Sequence, residues 1–235
     1  MKILTEYLEA LKNVFGTDLV SVILYGSRVS DFDYETKNSD FNLMVVLSKP
    51  DLEAIGRLAK DTASWAKAGN HPPLFFSEHE LIRSTDVFPV EFNDILVSRK
   101  VLYGKDVFAG ITIENKNLRH QCEFELKSKV LNLRRSFALY SDDEKRLAEA
   151  LKSSVSSVLV LFRHSARLVC ETPLDNAGAL KVWEEKVGLQ KGIFETIIGI
   201  KKDSAKGKHV VKDLFIGYVS EIQKVEEYVD SLSEC

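Results

Sequence analysis

Apolar positions recur with two different periods along the chain, and the period changes near its middle. Leu4, Tyr7, Leu8, Leu11, Val14 and Phe15 fall on one face of a helix. "LVSVILYG" follows as a β-branched run closed by Gly, which predicts a buried strand, and "FNLMVVL" predicts a second. Pro50 is placed to start a helix whose apolar face is Leu52, Ile55, Leu58, Ala59, Thr62 and Trp65. Residues 69–73 break the chain, "LFFS" predicts a short strand, and Ser77-Glu78-His79-Glu80 predicts a capped helix. "DVFPVEFNDILV" alternates like a strand, with Pro89 at an edge or bulge.

From about Lys116 the pattern is helical. Leu118, Cys122, Leu126, Leu133 and Phe137 share a face of one long helix. Ser141-Asp142-Asp143-Glu144 reads as a capping box opening a second helix that runs to about Cys170. Residues 172–178 read as a loop, with short helices around Val182 and Phe194 and a final amphipathic helix over 210–232. The boundary falls at 108–116, dividing an α/β part, residues 1–112, from a helical bundle, residues 113–235. The apolar bundle faces fit either an internal core or a homodimer.

Composition adds exclusions. Hydrophobic residues make up 45% and charged residues 29% of 235, the balance of a globular protein. No segment approaches the roughly 20 apolar residues of a membrane span, and Glu6 and Glu9 interrupt any secretory core. Cys122, Cys170 and Cys235 are widely spaced, which points to reduced thiols in a cytoplasmic protein. The net charge of −3 argues against generic nucleic-acid binding. His71, His79, His120, His164 and His209 show no zinc-protease spacing. Asp31, Asp33 and Glu35 alternate but lack the rest of a calcium loop. Lys127, Lys129, Arg134 and Arg135 read as a solvated face pairing with Glu123 and Glu125.

Chemistry concentrates in "YGSR…SDFNLMVVL". Gly26 permits close approach of a ligand, Ser27 offers a hydroxyl and an amide, and Arg28 can meet phosphate. After twelve intervening residues come Asp40 and, two further on, Asn42. Residues i and i+2 of a strand share a face, so Asp40 and Asn42 project together.

This arrangement resembles the polymerase-β-type nucleotidyltransferase superfamily, whose bacterial members include minimal and antibiotic nucleotidyltransferases. "VFPVEFNDILVSRKVLYGKD" is also similar to a later strand of such domains and the "LYG-D" after it. The resemblance implies an α+β fold: a mixed β-sheet flanked by helices, followed by an all-α bundle. It implies a nucleoside triphosphate bound with Mg²⁺ or Mn²⁺ at Gly26, Ser27 and Arg28, with Asp40, Asn42 and Glu91 at the metal. It implies transfer of a nucleoside monophosphate to a hydroxyl on a small molecule or protein, with pyrophosphate released. Asp40 and Glu91 would be the catalytic acids, with Asp94 the alternative to Glu91 as the third. Asn42 departs from the family's Asp-x-Asp. An amide oxygen coordinates magnesium without bringing charge, and a deficit of about 3 kcal/mol at the transition state slows a reaction on the order of a hundredfold. Three readings stay open: an active transferase, a nucleotide binder without turnover, and a scaffold.

Overall fold

A computed structural model describes residues 2–26, 29, 40–170, 174–202 and 210–232. The chain forms two compact units, Met1–Ile113 and Glu114–Cys235.

The first unit begins with α1 (Lys2–Phe15), which turns its Leu4, Tyr7, Leu11 and Phe15 stripe inward. A four-stranded sheet follows from β1 (Leu19–Tyr25), β2 (Asn42–Leu47), β3 (Leu74–Ser77) and β4 (Arg99–Gly104), in the order β3-β2-β1-β4. The sheet is mixed: β1 runs antiparallel to β2 and β4, and β2 runs parallel to β3. Its two faces bury different alternations of the same strands. Val22, Leu24, Leu43, Val45 and Leu47 join the stripe of α1. Ile23, Met44 and Val46 join Phe92, Ile95 and Phe108 on the other side. The near-continuous apolar runs of β1 and β2, interrupted by Ser21 and headed by Asn42, follow from this double coverage.

The helices between the strands depart from the sequence reading in detail. The helix expected to start at Pro50 starts at Leu52, capped by Asp51, which accepts from the amides of Glu53 at 3.1 Å and Ala54 at 3.3 Å. That segment divides into α2 (Leu52–Arg57) and α3 (Ala59–Lys67). Leu52 points to water, and Leu58 and Trp65 supply the burial. The expected capping box of α4 (Glu78–Arg83) is present: Ser77 Oγ accepts from Glu80 N at 3.1 Å, and Glu80 Oε2 accepts from Ser77 N at 2.7 Å.

The strand expected over "DVFPVEFNDILV" is a helix, α5 (Pro89–Val97). Pro89 occupies its first turn, where the missing N–H costs nothing and the fixed φ suits the helix. Phe88, Val90 and Phe92 alternate, but Phe92 and Ile95 also satisfy the helical spacing and both are buried. The "LYGKD" that follows is structural. Gly104 has φ +74°, and a Cβ there would lie 2.0 Å from the carbonyl oxygen of Val20. Buried Ser21 donates its hydroxyl to Lys105 O at 2.7 Å.

The second unit is helical among its described residues: α6 (Asn115–Tyr140), α7 (Glu144–Ala166), α8 (Asn176–Val187), α9 (Ile193–Lys201) and α10 (Val211–Ser231). Asp143, rather than Ser141, caps α7, accepting from Arg146 N at 3.1 Å, and the helix ends at Ala166. Asp175 caps α8, so that helix starts inside the expected loop. Trp183 donates to Phe162 O at 2.9 Å, and the hydroxyls of Tyr218 and Ser154 meet at 3.2 Å. Lys127 lies 2.7 Å from Glu123, 3.5 Å from Glu226 and 3.2 Å from Asp230, so it ties α6 to α10 as part of a paired face. No helix among the described residues is long and apolar enough to cross a membrane.

Candidate functional site

The end of β1 and the head of β2 lie side by side, with Tyr25 opposite Asn42 and, on the other flank, Tyr25 opposite Arg99. Gly26 then turns the chain at φ +83°, a conformation that penalises any residue carrying a Cβ. Three hydrogen bonds hold the turn. Gly26 N donates to Ser98 O at 3.2 Å, Ser98 Oγ donates to Gly26 O at 3.1 Å, and Val29 N donates to the same carbonyl at 3.0 Å. A Cβ on Gly26 would lie 3.2 Å from Asn42 Nδ2, so the glycine leaves room for the Asn42 side chain.

Phe41 belongs to the α1-side core with Leu43 and Val45, while Met44 and Val46 face α5. Asn42, which pairs with Tyr25, shares the α5 side with Met44 and Val46, and Asp40 precedes the strand by two residues. Asp40 is exposed, with 53% of its side chain in water. Phe41 N donates to Asn70 Oδ1 at 3.0 Å, Asn70 Nδ2 donates to Trp65 O at 3.2 Å, and Trp65 Nε1 donates to His71 O at 2.7 Å. These bonds pin residues 70–71 against the head of β2. His71 Nε2 lies 3.8 Å from Asp40 Oδ2 as a result.

Glu91 sits in the first turn of α5 and is exposed. The phenol of Tyr25 is pushed above its ordinary value, first by burial and then by the negative charge of Glu91. Tyr25 packs against the α5-side core, so Glu91 belongs to the same side of the sheet as Asn42. Asn93, which a strand would have aligned with Glu91, is instead buried, and Asp94 is half-buried. The resemblance implied a third carboxylate on a later strand. Neither "LFFS" of β3 nor "RKVLYG" of β4 contains an acid, and both Glu91 and Asp94 are helical.

Ser27 and Arg28 lie outside the described residues, as do Asp31, Asp33, Tyr34, Glu35 and His209. Among the described residues, no group of three or more His, Cys, Asp and Glu side chains is placed to hold a metal ion. Asp40 and Asn42 offer one carboxylate and one amide oxygen. That donor set fits at most a single Mg²⁺ or Mn²⁺ that keeps several waters. It does not fit two dications, whose mutual repulsion needs more carboxylate charge. The nearness of His71 to Asp40 has no signal in the sequence beyond a polar side chain just ahead of a strand that pairs with β2.

A mixed four-stranded sheet with flanking helices, followed by a helical region, is the nucleotidyltransferase-like α+β fold. The chain is similar in structure to spectinomycin adenyltransferase AAD(9) from Enterococcus faecialis, whose crystal structure was determined with ATP and spectinomycin. The TM-score is 0.55 at 12% sequence identity, over 94% of this chain and 98% of that one. No family model and no curated protein matches the chain.

Proposed function

We propose that this nucleotidyltransferase-like protein binds a nucleoside triphosphate with one divalent cation at the Gly26 turn. The observation that carries the reading is Asn42 at the head of β2 with its Nδ2 beside the Gly26 turn, two residues after Asp40. The neighbouring fold that holds ATP supports it. Asp40 would supply the charged cation ligand and Asn42 a neutral oxygen. The cation supplies charge neutralisation of the phosphates when bound, and Ser27 and Arg28 are the remaining candidates for phosphate contact.

The test is calorimetric titration of the four nucleoside triphosphates in Mg²⁺ and in Mn²⁺, for the wild type and Asp40→Ala. Saturable binding that Asp40→Ala weakens about tenfold or more is the expected result. If none of the four binds the wild type with either cation, the reading fails.

A second reading is nucleotidyl transfer, favoured by Glu91 on the side of Asn42 and electrostatically coupled to Tyr25. An acceptor hydroxyl would attack the α-phosphorus as the bond to the bridging oxygen breaks. Its proton would pass to Glu91, and pyrophosphate would leave. Pyrophosphate release that depends on an acceptor and is lost in Glu91→Gln, with nucleotide binding retained, would establish it. An acceptor small molecule is the class suggested by the spectinomycin of the neighbouring structure.

A further inference from the structure

We infer that the groove between α6 and α10 is a binding site for a small aromatic carboxylate, held by its ring against Phe137 and by its charge at Arg134. The inference is independent of the nucleotide reading, because every residue lining the groove belongs to the second unit.

Helical spacing builds the groove. α6 and α10 run antiparallel, since Phe137 stacks on Phe215 with ring centroids 5.5 Å apart while Lys127 lies 3.2 Å from Asp230. Arg134 and Ala138 stand one turn apart on α6, and Ile216, Ser220 and Gln223 share one face of α10. Ala138 and Ser220 are small, so the two helices leave a concavity of about 360 Å³ where larger side chains would interlock. That volume suits a small molecule, whereas a docked helix needs anchors over several turns. The apolar lining is Phe137, Phe215, Ile216 and Val219. Ile216 keeps 52% of its surface in water, an exposure that a bound ring removes.

The polar groups decide the sign of the ligand. Arg134, Ser220 and Gln223 line the same groove, and none of their side chains has a hydrogen-bond or ion-pair partner among the described residues. The neighbouring cations are engaged: Lys127 by Glu123, Glu226 and Asp230, and Lys212 by Asp142 at 3.6 Å. No Asp or Glu lines the groove, so its formal charge is positive in a chain whose net charge is −3. A guanidinium takes a carboxylate through two parallel N–H···O bonds, a geometry that an alcohol or an amine does not match. The stacked pair of Phe137 and Phe215 favours an aromatic body, which packs offset or edge-on against such rings. A mostly apolar, ring-lined cleft with a few convergent polar groups is the usual make-up of a small-molecule site.

The test is calorimetric titration of naphthoate, with neutral naphthamide as the control of equal shape, into the full-length wild type, Arg134→Gln and Ser220→Trp. Arg134 and Ser220 are both exposed, so neither change enters the bundle core. The expected result is saturable binding of naphthoate to the wild type, with naphthamide about tenfold weaker. Arg134→Gln should weaken naphthoate about tenfold and leave naphthamide unchanged, and Ser220→Trp should abolish both because its indole fills the groove. A wild type that does not bind naphthoate overturns the inference. So does equal naphthoate affinity in wild type and Arg134→Gln, or binding that survives Ser220→Trp. Sedimentation of the ligand-free wild type as a dimer that Ile216→Glu converts to a monomer would mean that a second copy covers the groove, and it overturns the inference as well.

Discussion

The guanidinium of Arg99 forks onto the carboxylate of Asp106, with Nε 3.1 Å from Oδ1 and Nη2 2.9 Å from Oδ2. Nη1 of the same side chain donates to Leu96 O at 2.7 Å, and Asp106 Oδ1 accepts from Phe108 N at 3.0 Å. The pair therefore locks the end of α5, the start of β4 and the turn after β4 in one register. Because residue 99 lies opposite Tyr25, this register also positions the Gly26 turn.

The hydrogen bonds from Arg99 hold the carboxyl of Asp106 below its ordinary value, with desolvation opposing them. A carboxyl depressed in the folded state stabilises the fold above its unfolded pKa, and that contribution is lost as the pH falls through the folded pKa. Arg99→Lys cannot reproduce the fork, and we expect it to cost about 1 kcal/mol at neutral pH, since part of the pair is in water. The difference between wild type and Arg99→Lys should close as the pH drops below the usual carboxylate range. Urea denaturation at neutral pH and in acid checks this, and a gap that stays constant in acid removes the Asp106 account.

Gly104→Ala places a methyl group 2.0 Å from a backbone oxygen that the β1–β4 pairing holds in place. The expected cost is about 3 kcal/mol or more, because neither partner is a flexible side-chain end. Gly56→Ala, within α2 and with open space around it, should instead stabilise by about 0.5–1 kcal/mol. Thermal unfolding of the two variants should separate them in opposite directions.

Asn42→Asp restores a second carboxylate beside Asp40 and should raise Mg²⁺ affinity about tenfold, by the attraction of one added charge. Metal titration of the apo protein is the measurement. Unchanged affinity would mean that residue 42 does not face the cation.

Glu91→Gln removes one of the two causes that raise the Tyr25 phenol. Its titration midpoint should fall but remain above the ordinary tyrosine value, because burial is the larger cause. Ultraviolet difference titration against Tyr25→Phe isolates this phenol. No movement in the Glu91→Gln variant would separate Glu91 from the face that carries Asn42.

The sequence determined the elements whose chemistry is local or whose apolar period is unambiguous. The stripe of α1, the runs of β1 and β2, the Ser77–Glu80 cap and the long bundle helices follow from spacing alone. The closeness of Asn42 to Gly26 needed the antiparallel pairing of β1 with β2, which sets Tyr25 opposite Asn42. Tertiary structure decided what spacing left ambiguous. Phe88, Val90 and Phe92 fit two periods, and burial of Phe92 and Ile95 against the sheet selected the helix, which moved Glu91 from a strand to a helical turn. His71 was invisible for a different reason. Its partner Asp40 is remote in sequence, and only Asn70 and Trp65, hydrogen-bonded across that gap, bring the two side chains together.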